Sequence, residues 1–336
     1  MRVNGYIAPD FQLPPEARVA LLSDVHLGDG SASDLFGDKD DLFLSVLDRE
    51  GGAADVVIIN GDAVDHLQGR SSTRIERAHP RVFDALRRLS QRKTVLYVLG
   101  NHEDEAELRG AFPDFRYVQG VAVGERLCIT HGHQFDLNWG HGGEDPWMVH
   151  LHTFLETFFK MPIRQPLRDY ANPLNRVIHR LFFFYTQALR FEGLFWKTLG
   201  RPEKYAHWQK VDNFWARGQW GDLGCIFECA VAYLASGQPW RTLVLGHSHQ
   251  PGVVPLGEQT YVNLGSWALE QATFGRIVQA EVQVLDAANG REYREDLYRK
   301  LLVGESLPDM AGWFRRYYRG FFRYDVAAIW RDFPHV

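Results

Sequence analysis

Five short apolar runs, Val19 to Leu22, Val56 to Ile59, Val95 to Leu99, Leu127 to Ile129 and Thr242 to Leu245, each stop abruptly at a glycine or polar residue. They are β-branched or Leu-rich and too short for helices, so they predict strands buried on both faces. Between the first three lie Asp41 to Arg49 and Arg74 to Gln91, which predict crossover helices. Together these make a βαβαβ start to an α/β domain.

The residues that end the runs carry the chemistry. In order they are Ser23-Asp24-Val25-His26, Asn60-Gly61-Asp62-Ala63-Val64-Asp65, Gly100-Asn101-His102-Glu103, Thr130-His131-Gly132-His133 and Gly246-His247-Ser248-His249, with a weaker Asn263-Leu264-Gly265-Ser266 after them. Carboxylates, an amide and imidazoles at strand C-terminal ends converge on one sheet edge, the usual place for a site in an α/β fold. Asp24 and His26 are two apart, as are His247 and His249, so on an extended strand end each pair points to one side. Such a set reads as a two-metal hydrolase. Two cations roughly 3.5 to 4 Å apart clamp a phosphoryl group and lower the pKa of a bridging water, supplying a metal-bound hydroxide. A ligand set of nitrogen and oxygen without thiolate favours Mn, Fe, Zn or Co and does not choose among them. His102 is the candidate general acid. Asp65 is the candidate partner that orients His26 or His102.

In this order and spacing the motifs resemble those of the calcineurin-like metallophosphoesterases: D-x-H, G-D-x-x-D, G-N-H-D/E, an isolated H, and G-H-x-H. The resemblance spans residues 24 to 249. It implies an α/β fold of two β-sheets flanked by helices, an αββα sandwich with a dinuclear site at one end. It also implies Asp24, His26, Asp62 and His249 on one metal, and Asp62, Asn101, His131 and His247 on the other, with Asp62 bridging. One branch of that family, the UDP-2,3-diacylglucosamine diphosphatases, is similar in its H-G-D/H-type motif and in a helical insert after it. This chain departs from that branch in having His102 after the metal-binding Asn, where Arg is common, and in a longer insert.

Composition narrows the remaining choices. The 336 residues are 45% hydrophobic, enough for one large domain with an insertion or for two domains. The net charge of -5 argues against general polyanion binding, so no long duplex nucleic acid is expected. Cys128, Cys225 and Cys229 form no zinc pattern, and Cys225 and Cys229, four apart, read as packed thiols consistent with a reducing cytoplasm. With no leader-like start and no run approaching the ~20 apolar residues of a spanning helix, the expectation is a cytoplasmic protein, at most peripheral to the inner membrane.

The expected organisation is a core of residues 1–136 and 241–290, an inserted helical cap at 137–240 and a C-terminal extension, 291–336, packing on the cap. From Leu151 to Leu199 there are eleven aromatic residues, and seven Lys or Arg against three acids, so the insert is basic within an acidic protein. Trp313 to Tyr324 repeats that aromatic and basic theme. Three readings fit: a packed cap with snorkelling arginines, a lid for a lipid-linked diphosphate or a membrane face, and an oligomer interface. A nucleotide or single-stranded nucleic-acid phosphodiesterase would use the same aromatics for stacking. A membrane-associated interaction module on this fold is the non-enzymatic alternative. His66, His79, His141, His150, His152, His179, His207 and His335 read as ordinary surface or core residues, and His133 as a second layer or a substrate contact.

Overall fold

The computed structural model describes residues 9–31, 34–66, 71–135, 191, 195–200, 226–268, 271–295 and 298. The expected insert helices, nearly all of the 137–225 segment and the Trp313 to Tyr324 stretch lie outside the described residues. The chain divides into two compact units, Met1–Pro162 with Ile226–Arg299, and Ile163–Cys225 with Lys300–Val336. In the second unit, Phe191, Phe195 and Leu199 are exposed at helical spacing.

In the first unit the strands are β1 (Phe11–Leu13), β2 (Val19–Leu22), β3 (Val56–Asn60), β4 (Thr94–Val98), β5 (Arg116–Val118), β6 (Val121–Val123), β7 (Leu127–Ile129), β8 (Thr242–Leu245), β9 (Gly252–Leu256), β10 (Gln259–Asn263), β11 (Thr273–Val278) and β12 (Glu281–Asp286). The helices are α1 (Asp40–Val46), α2 (Ser72–Ala78), α3 (Pro80–Ser90), α4 (Glu105–Ala111) and α5 (Ile226–Leu234). They form two mixed sheets, β1-β6-β7-β8-β10-β9 and β12-β11-β2-β3-β4-β5. Strands β2 to β5 are parallel, as are β7, β8 and β10.

Side-chain alternation explains the layers. Val19, Leu21, Val56, Ile58, Leu96 and Val98 point inward and meet Ile129, Val244 and Val262 of the other sheet in one buried cluster. Their neighbours Leu22, Ile59, Val95 and Tyr97 point outward against Phe43, Val46, Phe83, Leu86 and Phe112 of the helices. With both faces covered, these strands are apolar at nearly every position. On the far face of the first sheet, Phe227 of α5 packs on Tyr261 and Tyr298, and Tyr233 packs on Phe135.

Two local departures have physical causes. The stretch expected as one helix from Arg74 to Gln91 is two, α2 and α3, because Pro80 has no N–H to continue α2 and starts a new helix instead. Helix α1 continues as a π-helical turn, Leu47–Gly51. Among the described residues no helix is long and apolar enough to cross a membrane.

Candidate metal centre

The ends of β2, β3, β4, β7 and β8 deliver the motif residues to one edge of the sandwich. The strand ends are not extended there: Asp24, His26, Asp62, His247 and His249 all have positive φ, between 50° and 62°. The two-residue spacing therefore works through left-handed turns, not through an extended strand as the alternation alone suggests. Each such residue costs about 1–2 kcal/mol of backbone strain. Five of them at one edge require compensation from the surrounding bonds.

That compensation is visible. The loops after β2 and β3 zip together, with Asp24 N–H donating to Gly61 O at 3.0 Å, His26 N–H to Asp62 O at 2.9 Å and Leu27 N–H to Ala63 O at 2.9 Å. Side-chain crowding demands glycine at three positions. A methyl group on Gly61 would collide with the His131 ring, one on Gly100 with the Asp62 carboxylate, and one on Gly246 with Ser23 and Asp24. The weak sixth motif also finds its place, since Asn263 Nδ2 donates to Gly246 O at 2.6 Å and so holds the loop that carries His247 and His249.

Three groups of close-set side chains that could hold a metal result, Asp24 with His26 and His249, Asp62 with His131 and His247, and His26 with Asp65 and His102. In the first, His26 Nε2 stands 3.0 Å from His249 Nε2, and His249 Nε2 stands 3.2 Å from Asp24 Oδ1. In the second, His131 Nε2 is 3.1 Å from Asp62 Oδ2 and 3.1 Å from Asn101 Oδ1. His131 Nδ1–H donates to Asn60 O at 2.8 Å, which leaves a lone pair on Nε2 of the neutral ring. Asp62 Oδ1 accepts the N–H groups of Asn101 and His102, each at 3.0 Å, while the buried Asp62 Oδ2 has no hydrogen bond. With the ring neutral, lone pairs of an imidazole, an amide oxygen and a carboxylate face one another, and a proton or a metal ion at Nε2 satisfies the cluster.

The electrostatics agree. Burial would raise Asp24 and Asp62, yet the surrounding imidazoles hold Asp24 below the ordinary carboxylate range and Asp62 well below it. Against the same burial, Asp62 and Asp24 push His131 up to about 10. The pocket binds positive charge, and a metal ion entering it would displace that proton. These residues fit a metal on chemical grounds.

His102 and Asp65 lie beside this cluster. His102 Nδ1 is 3.2 Å from Asp65 Oδ1, and His102 Nε2 is 3.9 Å from Asp62 Oδ2. Asp65 Oδ2 is 3.7 Å from His26 Nδ1, so one carboxylate faces both rings. Burial opposes the charged form of His102, but Asp62 and Asp65 overcome it and push the ring up to about 9. His133 lies near His131 and His247, with ring centroids 5.5 and 6.3 Å away, and its buried Nδ1 has no hydrogen bond. Burial and those two neighbouring rings press His133 down to about 3.

Several supporting residues escape motif reading. Ser23 Oγ lies 2.5 Å from Asp24 Oδ2. Glu103 Oε1 accepts the Tyr97 hydroxyl at 2.5 Å and the Ala63 N–H at 2.9 Å, and its Oε2 accepts the Gly100 N–H at 2.7 Å. Glu103 therefore braces the β3 and β4 loops together. Its place in Gly100-Asn101-His102-Glu103 was the available signal. The backbone carbonyl of Asn60 offered none.

A match to a known family agrees with this geometry. The family described as calcineurin-like phosphoesterase matches residues 17–251. Among solved structures, the chain is similar to the phosphoesterase Yfce from E. coli, at 16% identity and TM-score 0.38, with 82% of this chain and 96% of that chain covered. It is similar to a dimetal phosphatase from Danio rerio at 15% identity and TM-score 0.41, with 80% and 95% covered. Vps29 from Entamoeba histolytica, complexed with Zn+2, is similar at 13% identity and TM-score 0.34, with 82% and 95% covered. No curated protein sequence matches. The family match extends from just before β2 to beyond His249 and includes every candidate ligand position described above, and the chain belongs to the calcineurin-like phosphoesterase family.

Proposed function

We propose that the protein is a metal-dependent phosphoester hydrolase with a dinuclear centre. Asp24, His26, Asp62 and His249 would hold one divalent ion and Asp62, Asn101, His131 and His247 the other, with Mn first among Mn, Fe, Zn and Co. The observation that carries this reading is the meeting of a buried carboxylate oxygen, Asp62 Oδ2, and an amide oxygen, Asn101 Oδ1, at His131 Nε2, each 3.1 Å away. Bound there, two cations supply phosphoryl polarisation and activation of water.

The chain's own groups perform the rest. Asp62 Oδ1 is pinned by two backbone N–H groups, which leaves Oδ2 directed at the cluster. Asp65 holds the Nδ1 side of His102, so Nε2 presents the proton toward a leaving oxygen. Deleting that imidazole removes no member of the group of Asp24, His26 and His249 or of the group of Asp62, His131 and His247. His102→Ala is expected to lower turnover by about 10²- to 10⁴-fold with metal content kept. Loss of metal in that variant would refute the assigned role.

A lipid-linked diphosphate is the second reading of the substrate. It is favoured by Phe191, Phe195 and Leu199, exposed at helical spacing in the second unit, a surface suited to acyl chains or a membrane. A panel with Mn²⁺ supplied separates the readings: an aryl phosphomonoester, an aryl phosphodiester, a cyclic nucleotide, single-stranded DNA and a UDP-linked diacyl sugar. Turnover confined to the last supports the lipid reading. Turnover of the soluble esters alone removes it.

A further inference from the structure

His66 directly follows Asp65 and is buried, 8% exposed. Its backbone N–H donates to His102 O at 3.0 Å. Its ring Nδ1 accepts the backbone N–H of Asp104, also at 3.0 Å. A backbone amide only donates, so Nδ1 carries no proton and the proton of the ring sits on Nε2. Nε2–H donates to Ser72 Oγ at 2.9 Å, and Ser72 Oγ donates onward to Glu107 O at 3.2 Å. Ser72 N–H closes the arrangement on Glu107 Oε2 at 3.0 Å. His66 therefore grips the chain on both sides of Glu103 and ties it to the start of α2 and to α4.

The gripped turn is the one that carries His102. Asp65 meets the His102 ring, and the next residue, His66, meets the His102 backbone. One dipeptide thus sets both the orientation of the imidazole and the position of its Cα. We propose that His66 is a positioning residue that places His102 for protonation of the leaving oxygen, an inference that rests on the phosphoesterase reading and on His102 as its acid. Burial also disfavours a charged His66 ring, against the opposing pull of Glu107, Asp104 and Asp65. The lone pair at Nδ1 is what the Asp104 amide needs.

Asn and Gln separate the two ring nitrogens. The amide of His66→Asn places an acceptor close to the position of Nδ1 and keeps the Asp104 bond. The amide of His66→Gln reaches the position of Nε2, keeps Ser72 and abandons Asp104. The metal-loaded, full-length protein and both variants would be assayed on an aryl phosphoester, whose leaving group departs without a proton, and on an alkyl phosphoester, whose leaving group needs one. Amide hydrogen exchange at Asp104 would be read in parallel.

His66→Gln is expected to lower kcat on the alkyl ester about tenfold or more, to change the aryl ester far less, to leave KM and metal content unchanged, and to speed exchange at Asp104. His66→Asn is expected to restore both turnover and protection. Equal losses on the two esters, or an Asn variant no better than Gln, would overturn the proposal. Should the wild-type protein cleave neither ester, the phosphoesterase reading fails on its own. In that case unchanged Asp104 exchange across the series would still overturn the grip assigned to His66.

Discussion

His79 offers a stability test whose sign can be worked out in advance. Its ring is buried, 3% exposed, and both nitrogens meet carboxylates, Nδ1 with Asp40 Oδ2 and Nε2 with Asp34 Oδ2, each at 3.0 Å. Two acceptors on one imidazole require both nitrogens to be protonated. Burial lowers the ring's basicity, but the bonds to Asp34 and Asp40 prevail and raise His79 above the ordinary value of 6.5. Asp34 in turn is raised by burial and lowered more by His79 and by the N–H groups of Gly30 and Gly37, so it sits below the ordinary 3.8. The raised His79 stabilises fully below pH 6.5, and that contribution fades as pH climbs through its folded value. The lowered Asp34 stabilises above pH 3.8 and fades as pH falls through its own folded value. The pair is strongest between those limits.

The magnitude follows from the contacts that His79→Ala removes. Each charge-assisted bond is worth about 1.5–3 kcal/mol. Asp34 keeps its backbone donors, and the Asp40 side chain is 24% exposed and can hydrate, which brings the total toward the low end. The expected loss is about 3 kcal/mol near pH 6, shrinking to about 1–2 kcal/mol at alkaline pH where one ring proton is gone. Urea unfolding of wild type and variant at matched pH values measures it. Lys39, whose ammonium is pushed down to about 8, mainly by burial, titrates in both proteins and largely cancels in the difference. A difference that is flat across the range, or that grows with pH, would refute the charged-histidine reasoning.

Two further substitutions probe the frame of the centre. Gly61→Ala places a methyl against His131 at a φ of +77°, and should cost about 2–5 kcal/mol in unfolding experiments and weaken metal retention; an undisturbed metal content would contradict the close approach. Glu103→Gln must turn an NH₂ toward either the Gly100 or the Ala63 N–H, and should destabilise by about 1–3 kcal/mol in thermal or urea unfolding. Stability equal to wild type would show that Glu103 does not brace the loops.

Much of this architecture was legible because its signals are local. An apolar run fully covered on both faces, ended by Gly, Asp or His, marks a strand and its ligand together, as at Val56–Asn60 followed by Gly61-Asp62. Strands β9 to β12 gave no such signal. Gly252–Leu256 carries an interior Pro255, and Glu281–Asp286 mixes polar residues into a partly exposed edge. His66 and His79 read as ordinary residues for a different reason: their partners, Asp104, Ser72, Asp34 and Asp40, are brought to them only by the packing of helices and loops. The left-handed turns at Asp24, His26 and Asp62 were hidden likewise, since Asp and His tolerate such a turn better than most residues but occupy it only in a minority of places.

The central claim is that Asp62 joins two metal ions into one hydrolytic centre, and metal analysis coupled to turnover tests it most directly. Wild type and Asp62→Ala would be loaded with Mn²⁺, freed of excess metal, and assayed for bound metal per chain and for hydrolysis of the ester panel. The account predicts two ions per chain and turnover in the wild type, with both abolished in the variant. Retained turnover in Asp62→Ala, or a wild type that cleaves esters without bound metal, would contradict it.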